Sequence, residues 1–396
     1  MCYKPDLKHS CCAQYTIRLD ASKFIASKDQ RQAINRFNHY VLGEEYIKAR
    51  ERLKPKTKEE AKRYKQHFNL AERVHEAEKL YLDKLLDKKE NEIKPAHELV
   101  VTLEPDDFTE EKFALYENYQ RVVHHDKPGG ISRAGFKRFL CESPLQRTSE
   151  KWVDKDGKER IKKLGSYHQM YRLDGRVVAL AVLDLLPKVV SGVYFLYHED
   201  LHKFSPGKLS ALREASLSAE EGYEYYWMGY FIESCGKMRY KGDYQPMEFL
   251  DPETYDWHLL DDKAKRKMQE RNYISLSKEE ASGETTTTEN SSNPTPQPPK
   301  TESTAEDAGD DSDYEPEDVE GTVWDNAMPG VLSKSEVSAL PLGTVKLSVR
   351  GQPAMCEDLV VWERGGLEDP TSVKCWIGEL AAVVGPEVTR RMVVKL

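Results

Sequence analysis

Nothing in this chain of 396 residues approaches the roughly eighteen consecutive apolar residues of a membrane-spanning helix, so no transmembrane segment is expected. The opening MCYKPDLKHSCC lacks the apolar core of a secretory leader, and no export signal is read there. Cysteine is scarce and odd in number: Cys2, Cys11, Cys12, Cys141, Cys235, Cys356 and Cys375 lie scattered along the chain. A disulfide framework is a poor fit to that pattern. Reduced thiols in a cytoplasmic protein, with the nucleus also open to it, are the expectation. Large apolar side chains are almost missing from 282 to 321, where Thr, Ser, Pro and acids predominate. Such a stretch cannot bury enough surface to offset its ordering entropy, and 278–321 reads as a disordered acidic insert.

The shortage of positive charge is local. Between Lys278 and Gly321 two lysines stand against fourteen acidic residues, which accounts for more than the whole net charge of −9. The remainder is mildly basic and can hold nucleic-acid phosphates where its cations cluster.

What is present is concentrated between Gly165 and Trp257, which reads strand, strand, helix, strand. Val177 to Leu186 is an apolar, β-branched run suited to a strand buried on both faces. Pro187 ends it, and Val189 to Tyr197 is the next strand, with Ser191-Gly192 as a bulge or close backbone approach. Ser205-Pro206 offers an N-cap followed by proline at the first helical position. Leu209, Leu212, Ser216 and Ala219 share one face of that helix, Gly222 stops it, and Tyr223 to Ile232 is a third strand. A β-β-α-β unit of this kind resembles the core of GNAT-type acyltransferases. Those enzymes place the phosphates of an acyl carrier on the helix N-terminus, where free N–H groups attract anions.

Five strings narrow the resemblance: CCAQYTIR from Cys11, FKRFLCESPL from Phe136, YHQMYRLDG from Tyr167, GKLSALRE from Gly207 and MGYFIESCGKMRYKGDYQP from Met228. Occurring together and in this order, they resemble eukaryotic arginyl-tRNA–protein transferases, the fungal ones most. The similarity runs over roughly 9–45, 97–145 and 165–277, and more weakly 320–396. The resemblance implies a GNAT-like fold. It implies transfer of arginine from arginyl-tRNA to the amino terminus of proteins beginning with Asp, Glu or oxidised Cys, as a signal for ubiquitin-dependent degradation. It also implies that Cys11 and Cys12 join an upstream C-x-x-C pair to hold zinc or an iron–sulfur cluster. That pair is absent here, so the metal site is incomplete and a metal is expected only if other ligands are supplied.

The fold class expected is α/β: a GNAT-like acyltransferase core, a mixed sheet with flanking helices, plus an incomplete N-terminal metal-type or cluster-type module. Residues 1–45 would be a remnant of that module, 46–96 a charged helical excursion and 97–277 the catalytic core. After the insert, 322–396 would pack back on the core. Gln32 to Glu45 reads as a short amphipathic helix, Thr109 as the cap of another, and Lys151 to Lys163 as a basic loop more mobile than folded.

The candidate site residues follow. Asp184 is a carboxylate inside VVALAVLDLLP, costly unless partnered. It would meet the arginine guanidinium or the attacking amine, with a structural role near a strand end as the even alternative. His168 and Gln169 are candidates for orienting groups or a proton relay, although a lone histidine is more often structural. Lys208, Ser210 and Arg213 sit at the start of the central helix and would take phosphates. Tyr226 would wall the pocket unless it only fills the core. Lys237, Arg239, Tyr240 and Lys241 interleave cations with an aromatic, which suits backbone neutralisation and stacking on an unpaired 3′-terminal base.

Aminolysis of an ester needs a neutral amine, a stabilised oxyanion and a protonated leaving hydroxyl, and no further cofactor. The expected partners are arginyl-tRNA and proteins with acidic N-termini, with the chain acting as a monomer away from membranes. A CoA-dependent GNAT N-acyltransferase is the rival enzyme, although KFSPGKLSA lacks the usual glycine-rich Q/R-x-x-G-x-G/A loop. A tRNA-binding regulatory form with impaired catalysis is the rival outside catalysis.

Overall fold

The computed structural model describes residues 4–127, 129–282 and 321–396, so most of the acidic insert lies outside the described residues. One sheet organises the larger part. Its strands are β1 (Tyr15–Asp20), β2 (Leu99–Pro105), β3 (Thr148–Val153), β4 (Glu159–Leu173), β5 (Arg176–Leu186), β6 (Val189–Tyr197), β7 (Tyr225–Phe231), β8 (Met247–Leu250) and β9 (Trp257–Leu259). They lie in the order β2-β4-β5-β6-β7-β1-β8-β9, with β3 paired to β4. All neighbours are antiparallel except β6 and β7. β1, assigned by sequence to a separate N-terminal segment, is thus an interior strand of the main sheet.

The apolar run of β5 is buried from Val177 to Leu183 because helices cover both of its faces. Strand alternation sorts the side chains. Ala179, Ala181, Leu183 and Leu185 join the large cluster with Ile34, Phe37, Leu212 and Ala215. Leu180, Val182 and Met170 join Phe113, Tyr116 and Phe136 on the other face. The first layer is built by α1 (Lys28–Leu42), opened by the Ser27/Gln30 capping box, with α2 (Glu44–Leu53), α3 (Lys58–Gln66) and α4 (Leu70–His75) beside it. The second layer is α5 (Glu110–Val122), capped by Thr109, and α6 (Arg133–Phe136), which runs into a π-turn over Lys137–Cys141. The central helix α7 (Pro206–Glu220) packs against β6, β7, α1 and α4. A short α8 (Gly236–Arg239), α9 (Asp262–Glu270) and α10 (Leu276–Ser282) follow. Residues 323–394 gather a hydrophobic cluster of their own around α11 (Lys334–Ser338), β10 (Lys346–Val349), β11 (Gln352–Met355), α12 (Val373–Arg391) and β12 (Val393–Lys395).

Three local expectations differ from the structure. Lys151 to Lys163 is not a loose loop but most of the β3–β4 hairpin. Asp154 closes its turn by accepting from the Asp156 and Lys158 amides at 3.0 and 2.9 Å. Lys151 and Lys163 are compatible with a strand because they stand exposed, while Lys162 is buried and donates to the Pro187 carbonyl at 2.6 Å. Ser205 precedes α7 but makes no side-chain cap: its φ is +57°, and its carbonyl accepts from the Lys208 amide. Ala219 is exposed, off the packed face. The basic strip after β7 is helical, α8 followed by a 3-10 turn over Tyr240–Asp243.

Two buried polar groups tie these layers together. Arg213 on α7 turns away from the helix start and meets Glu78, which is 3% exposed, through both ends of its guanidinium. His75 stands 3.0 Å from both Glu78 and Glu220, so α4 and its following turn are anchored to α7. On the other face, His168 is fully buried, and its Nε2–H donates to the Leu140 carbonyl at 2.8 Å. Burial, helped by the Lys112 charge, pushes this imidazole down to about 4.

Arg213→Ala leaves Glu78 buried with His75 as its remaining partner, so a loss of about 3 kcal/mol is expected, read as a large drop in melting temperature. Lys208→Ala breaks only the more exposed pair with Asp29 and is expected to cost under about 1 kcal/mol. Equal melting temperatures for the two variants would contradict the strut. For His168, the unfolded chain takes up a proton below about 6.5 that the folded chain refuses until about 4. Stability from this group is therefore complete above 6.5 and declines as pH falls, by about 3 kcal/mol at pH 4. Urea unfolding of His168→Gln is expected to lose that acid-side slope; an unchanged slope would place the titration elsewhere.

Candidate functional site

β6 and β7 pair as parallel strands only from Val189–Ser191 against Tyr225–Trp227, and then separate. The separation begins where β6 bulges. Val182 opposes Tyr194 and Leu183 opposes Gly192, which leaves Val193 as the extra residue. A cleft of about 940 Å3 opens there. Its walls are the two strands, the first turns of α7, Tyr240 and Lys241, and the end of α5 from Tyr119 to His125.

Glu214 on α7 lies at its inner end, 3% exposed. Ser210 Oγ, one helical turn earlier, donates to its carboxylate, and the Tyr226 hydroxyl bonds to it as well. Burial outweighs those two donors and the nearby Lys241 charge, and pushes the carboxyl up to about 7. Gly192 is required opposite it, since a Cβ there would stand 2.9 Å from Glu214 Oε2 and 3.4 Å from the Tyr226 hydroxyl. Tyr171, on β4, donates to Gln169 Oε1 at 2.9 Å and lies against Ser210 and Glu214. A line of polar groups thus runs from Gln169 through Tyr171 and Ser210 to Glu214 and Tyr226.

Across the cleft floor, Lys241 Nζ donates to the Tyr230 carbonyl at 3.0 Å. Burial pushes its ammonium down to about 8, against the opposing pull of Cys235 and Glu214. Tyr240 lines the same wall, and burial raises its phenol to about 12. Near neutral pH the floor therefore offers a carboxyl poised to take a proton, a cation and several undissociated hydroxyls. That set suits a proton-coupled acyl transfer better than attack by a protein nucleophile.

Of the residues singled out from sequence, Lys208, Ser210, Tyr226, Tyr240 and Lys241 line this cleft, and Gln169 reaches it through Tyr171. Lys208 stands at the mouth and pairs with Asp29 of α1. Others lie elsewhere. Asp184 pairs across the sheet with Ser166 and Ser191, on the face with His168, and accepts from the Ser166 hydroxyl; burial raises its carboxyl. Arg213 is committed to Glu78. Arg239 donates to the Glu233 carbonyl at 3.1 Å, and the Lys237 side chain lies outside the described residues.

Cys11 and Cys12 do not form a metal site. The Cys11 carbonyl accepts from Asn272, the Cys12 thiol accepts from Ser234 at 3.7 Å, and His9 is held by Asp6 at 2.8 Å. Among the described residues no group of three or more His, Cys, Asp or Glu side chains is placed to hold a metal ion. The N-terminal module expected from the cysteine pair is therefore unsupported. Among the described residues, too, no helix is long and apolar enough to cross a membrane.

Sequence reasoning missed Glu214 and Tyr171. The available signal for Glu214 was an acid four residues after Ser210, on the small-residue side of a helix otherwise reading ALREASLS.

Residues 111–251 match the family model described as arginine-tRNA-protein transferase, C terminus, and residues 1–32 match its N-terminal counterpart. Arginyl-tRNA–protein transferase 2 of Arabidopsis thaliana is 40% identical over 164 residues, which are 40% of this chain and 27% of the relative. Arginyl-tRNA–protein transferase 1 of Saccharomyces cerevisiae is 32% identical over 254 residues, 61% of this chain and 44% of the relative. Aspartate/glutamate leucyltransferase of Stutzerimonas stutzeri is 35% identical over 147 residues, 36% of this chain and 53% of the relative. The chain spans less than half the length of the eukaryotic relatives it matches. The matches to the N-terminal and C-terminal models of arginine-tRNA-protein transferase lie in that order along the chain, with the whole cleft inside the second.

Proposed function

We propose that this cleft transfers arginine from arginyl-tRNA to the α-amino group of proteins whose first residue is Asp, Glu or oxidised Cys, marking them for ubiquitin-dependent degradation. The observation that carries the reading is the buried, near-neutral Glu214 inside the segment that matches the family. An acidic acceptor is also in keeping with a similar protein whose name specifies aspartate and glutamate. The core is read as GNAT-like, because β6 and β7 part around the start of a central helix, the place where such folds admit an acyl carrier. Residues 97–277 would then be its catalytic core, completed by β1, in a protein of the cytoplasm or nucleus acting as a monomer.

The acceptor arrives mainly as an ammonium ion, since an α-amino group titrates near 8. That ammonium gives one proton to solvent, which frees its lone pair, and Glu214, ionised in part at neutral pH, takes a second proton from the nitrogen as it attacks the ester carbonyl carbon. The C–N bond forms, and the carbonyl oxygen becomes an oxyanion within reach of the hydroxyls on the cleft floor. The intermediate collapses with cleavage of the bond to the ribose oxygen. Glu214 returns its proton to that oxygen, leaving an amide and an uncharged tRNA. The ester is already activated, so positioning supplies much of the rate. Lys208, at the mouth beside the first turn of α7, is placed for an RNA phosphate.

The direct test is purified protein with charged tRNA and a peptide beginning with Asp or Glu. Arginyl transfer without ATP is expected, and acetyl transfer from acetyl-CoA with none from arginyl-tRNA would overturn the reading. The rate is expected to fall as pH drops through about 7, because the base must be ionised. Glu214→Gln is expected to lower turnover by roughly 10²–10⁴-fold and to erase that limb of the pH profile. A variant within threefold of wild type would remove Glu214 from the proton transfer.

A further inference from the structure

Two groups of opposite charge stand at the inner end of the cleft without meeting. Among the described residues no carboxylate lies within ion-pairing distance of Lys241, whose side chain is part-buried and pushed down in its proton affinity by desolvation. An ammonium has three N–H donors, and the Tyr230 carbonyl takes one of them. Gly229, at φ +72°, lies beside the ammonium and leaves it room, since even a Cβ there would be only in ordinary contact with Nζ, at 3.9 Å. Glu214 is held in its turn by Ser210 and Tyr226, with Gly192 packed against it. A buried cation without a counter-ion is costly. A ligand that brings a carboxylate beside an ammonium would satisfy both groups at once.

The first residue of a polypeptide chain beginning with Asp or Glu is such a ligand: its α-ammonium and its side-chain carboxylate lie a few ångströms apart. An N-terminal Asn or Gln has the same shape but supplies only the ammonium. We propose that Lys241 is the specificity-determining residue of the acceptor site, pairing with the side-chain carboxylate while the adjacent amine faces Glu214. This rests on reading the cleft as an aminoacyl-transfer site. The competing role for Lys241 is a contact to an RNA phosphate. Its desolvation argues against that, because burial pushes the Lys241 ammonium down, whereas Lys208, in its part-exposed pair with Asp29, is the more accessible cation of the cleft.

The test uses the full chain, arginyl-tRNA and peptides differing only in a first residue of Asp or Asn. Wild type is expected to favour Asp strongly. Lys241→Met is expected to lower kcat/KM for the Asp peptide by roughly 100-fold, chiefly through KM, and to leave the Asn peptide within a few-fold. The Asp-over-Asn ratio would then nearly vanish, while tRNA affinity and its salt dependence stay unchanged. Lys241→Arg keeps the charge and is expected to restore much of the preference, which a purely structural lysine would not require.

Equal losses on both peptides in Lys241→Met, with the ratio intact, would overturn the assignment. So would a tRNA salt slope lowered by about one, which would mark a phosphate contact instead. If Lys241→Met does not melt cooperatively, the Arg variant decides: a normal melt with no preference for Asp sinks the proposal. Wild type that transfers arginine to neither peptide would refute the transferase reading itself. Wild type that transfers equally well to both would refute only the role of Lys241.

Discussion

β6 and β7 share three residue pairs and then part, and the functional architecture depends on that parting. The extra residue Val193 bends β6 away, and Gly192 removes the side chain that would fill the gap from one wall. Into the opening come the first turns of α7, so that Ser210 and Glu214 face Tyr226 rather than a layer of apolar side chains. A carboxyl so enclosed loses water on most sides and keeps only a few donors. Its proton affinity rises toward neutrality for that reason.

The position of α7 is therefore worth holding firmly, and the structure holds it from two directions. Its apolar face packs on β6 and β7 through Leu209, Leu212 and Ala215. Its far side is tied to the charged helical excursion by Arg213, Glu78, His75 and Glu220. The excursion also has a polar interior, where Glu76 receives Arg50, Arg73 and the Tyr64 hydroxyl. It is more than a solvated face. Residues that read as a surplus of mixed charge are partly a buried brace for α7.

Much of the fold was legible because local signals agreed with tertiary packing. The double burial of β5, the strand after Pro187, the helix from Pro206, its stop at Gly222 and the Thr109 cap all stand where periodicity and capping chemistry put them. The β3–β4 hairpin escaped notice because β3 and the first residues of β4 are mostly exposed, and an exposed strand has no apolar alternation to read. The insertion of β1 between β7 and β8 was equally hidden. Non-local pairing depends on which strand edges remain open, and a short segment of sequence does not contain that information.

For the site, the ordered motifs pointed to the segment that matches the family model and supplied five residues of the cleft: Lys208, Ser210, Tyr226, Tyr240 and Lys241. They did not distinguish Glu214 from Asp184, or a strut such as Arg213 from a ligand contact. The reason is physical. Sequence alone determines which groups are available and the period at which they repeat, and so names the strand, the helix and the chemistry they can carry. Which face a carboxylate occupies, how much water it loses and whether a neighbouring cation is already committed depend on elements far away in the chain. Only the closed sheet, with α4 locked to α7 and β7 drawn away from β6, decided that Glu214 and not Asp184 should stand opposite Lys241.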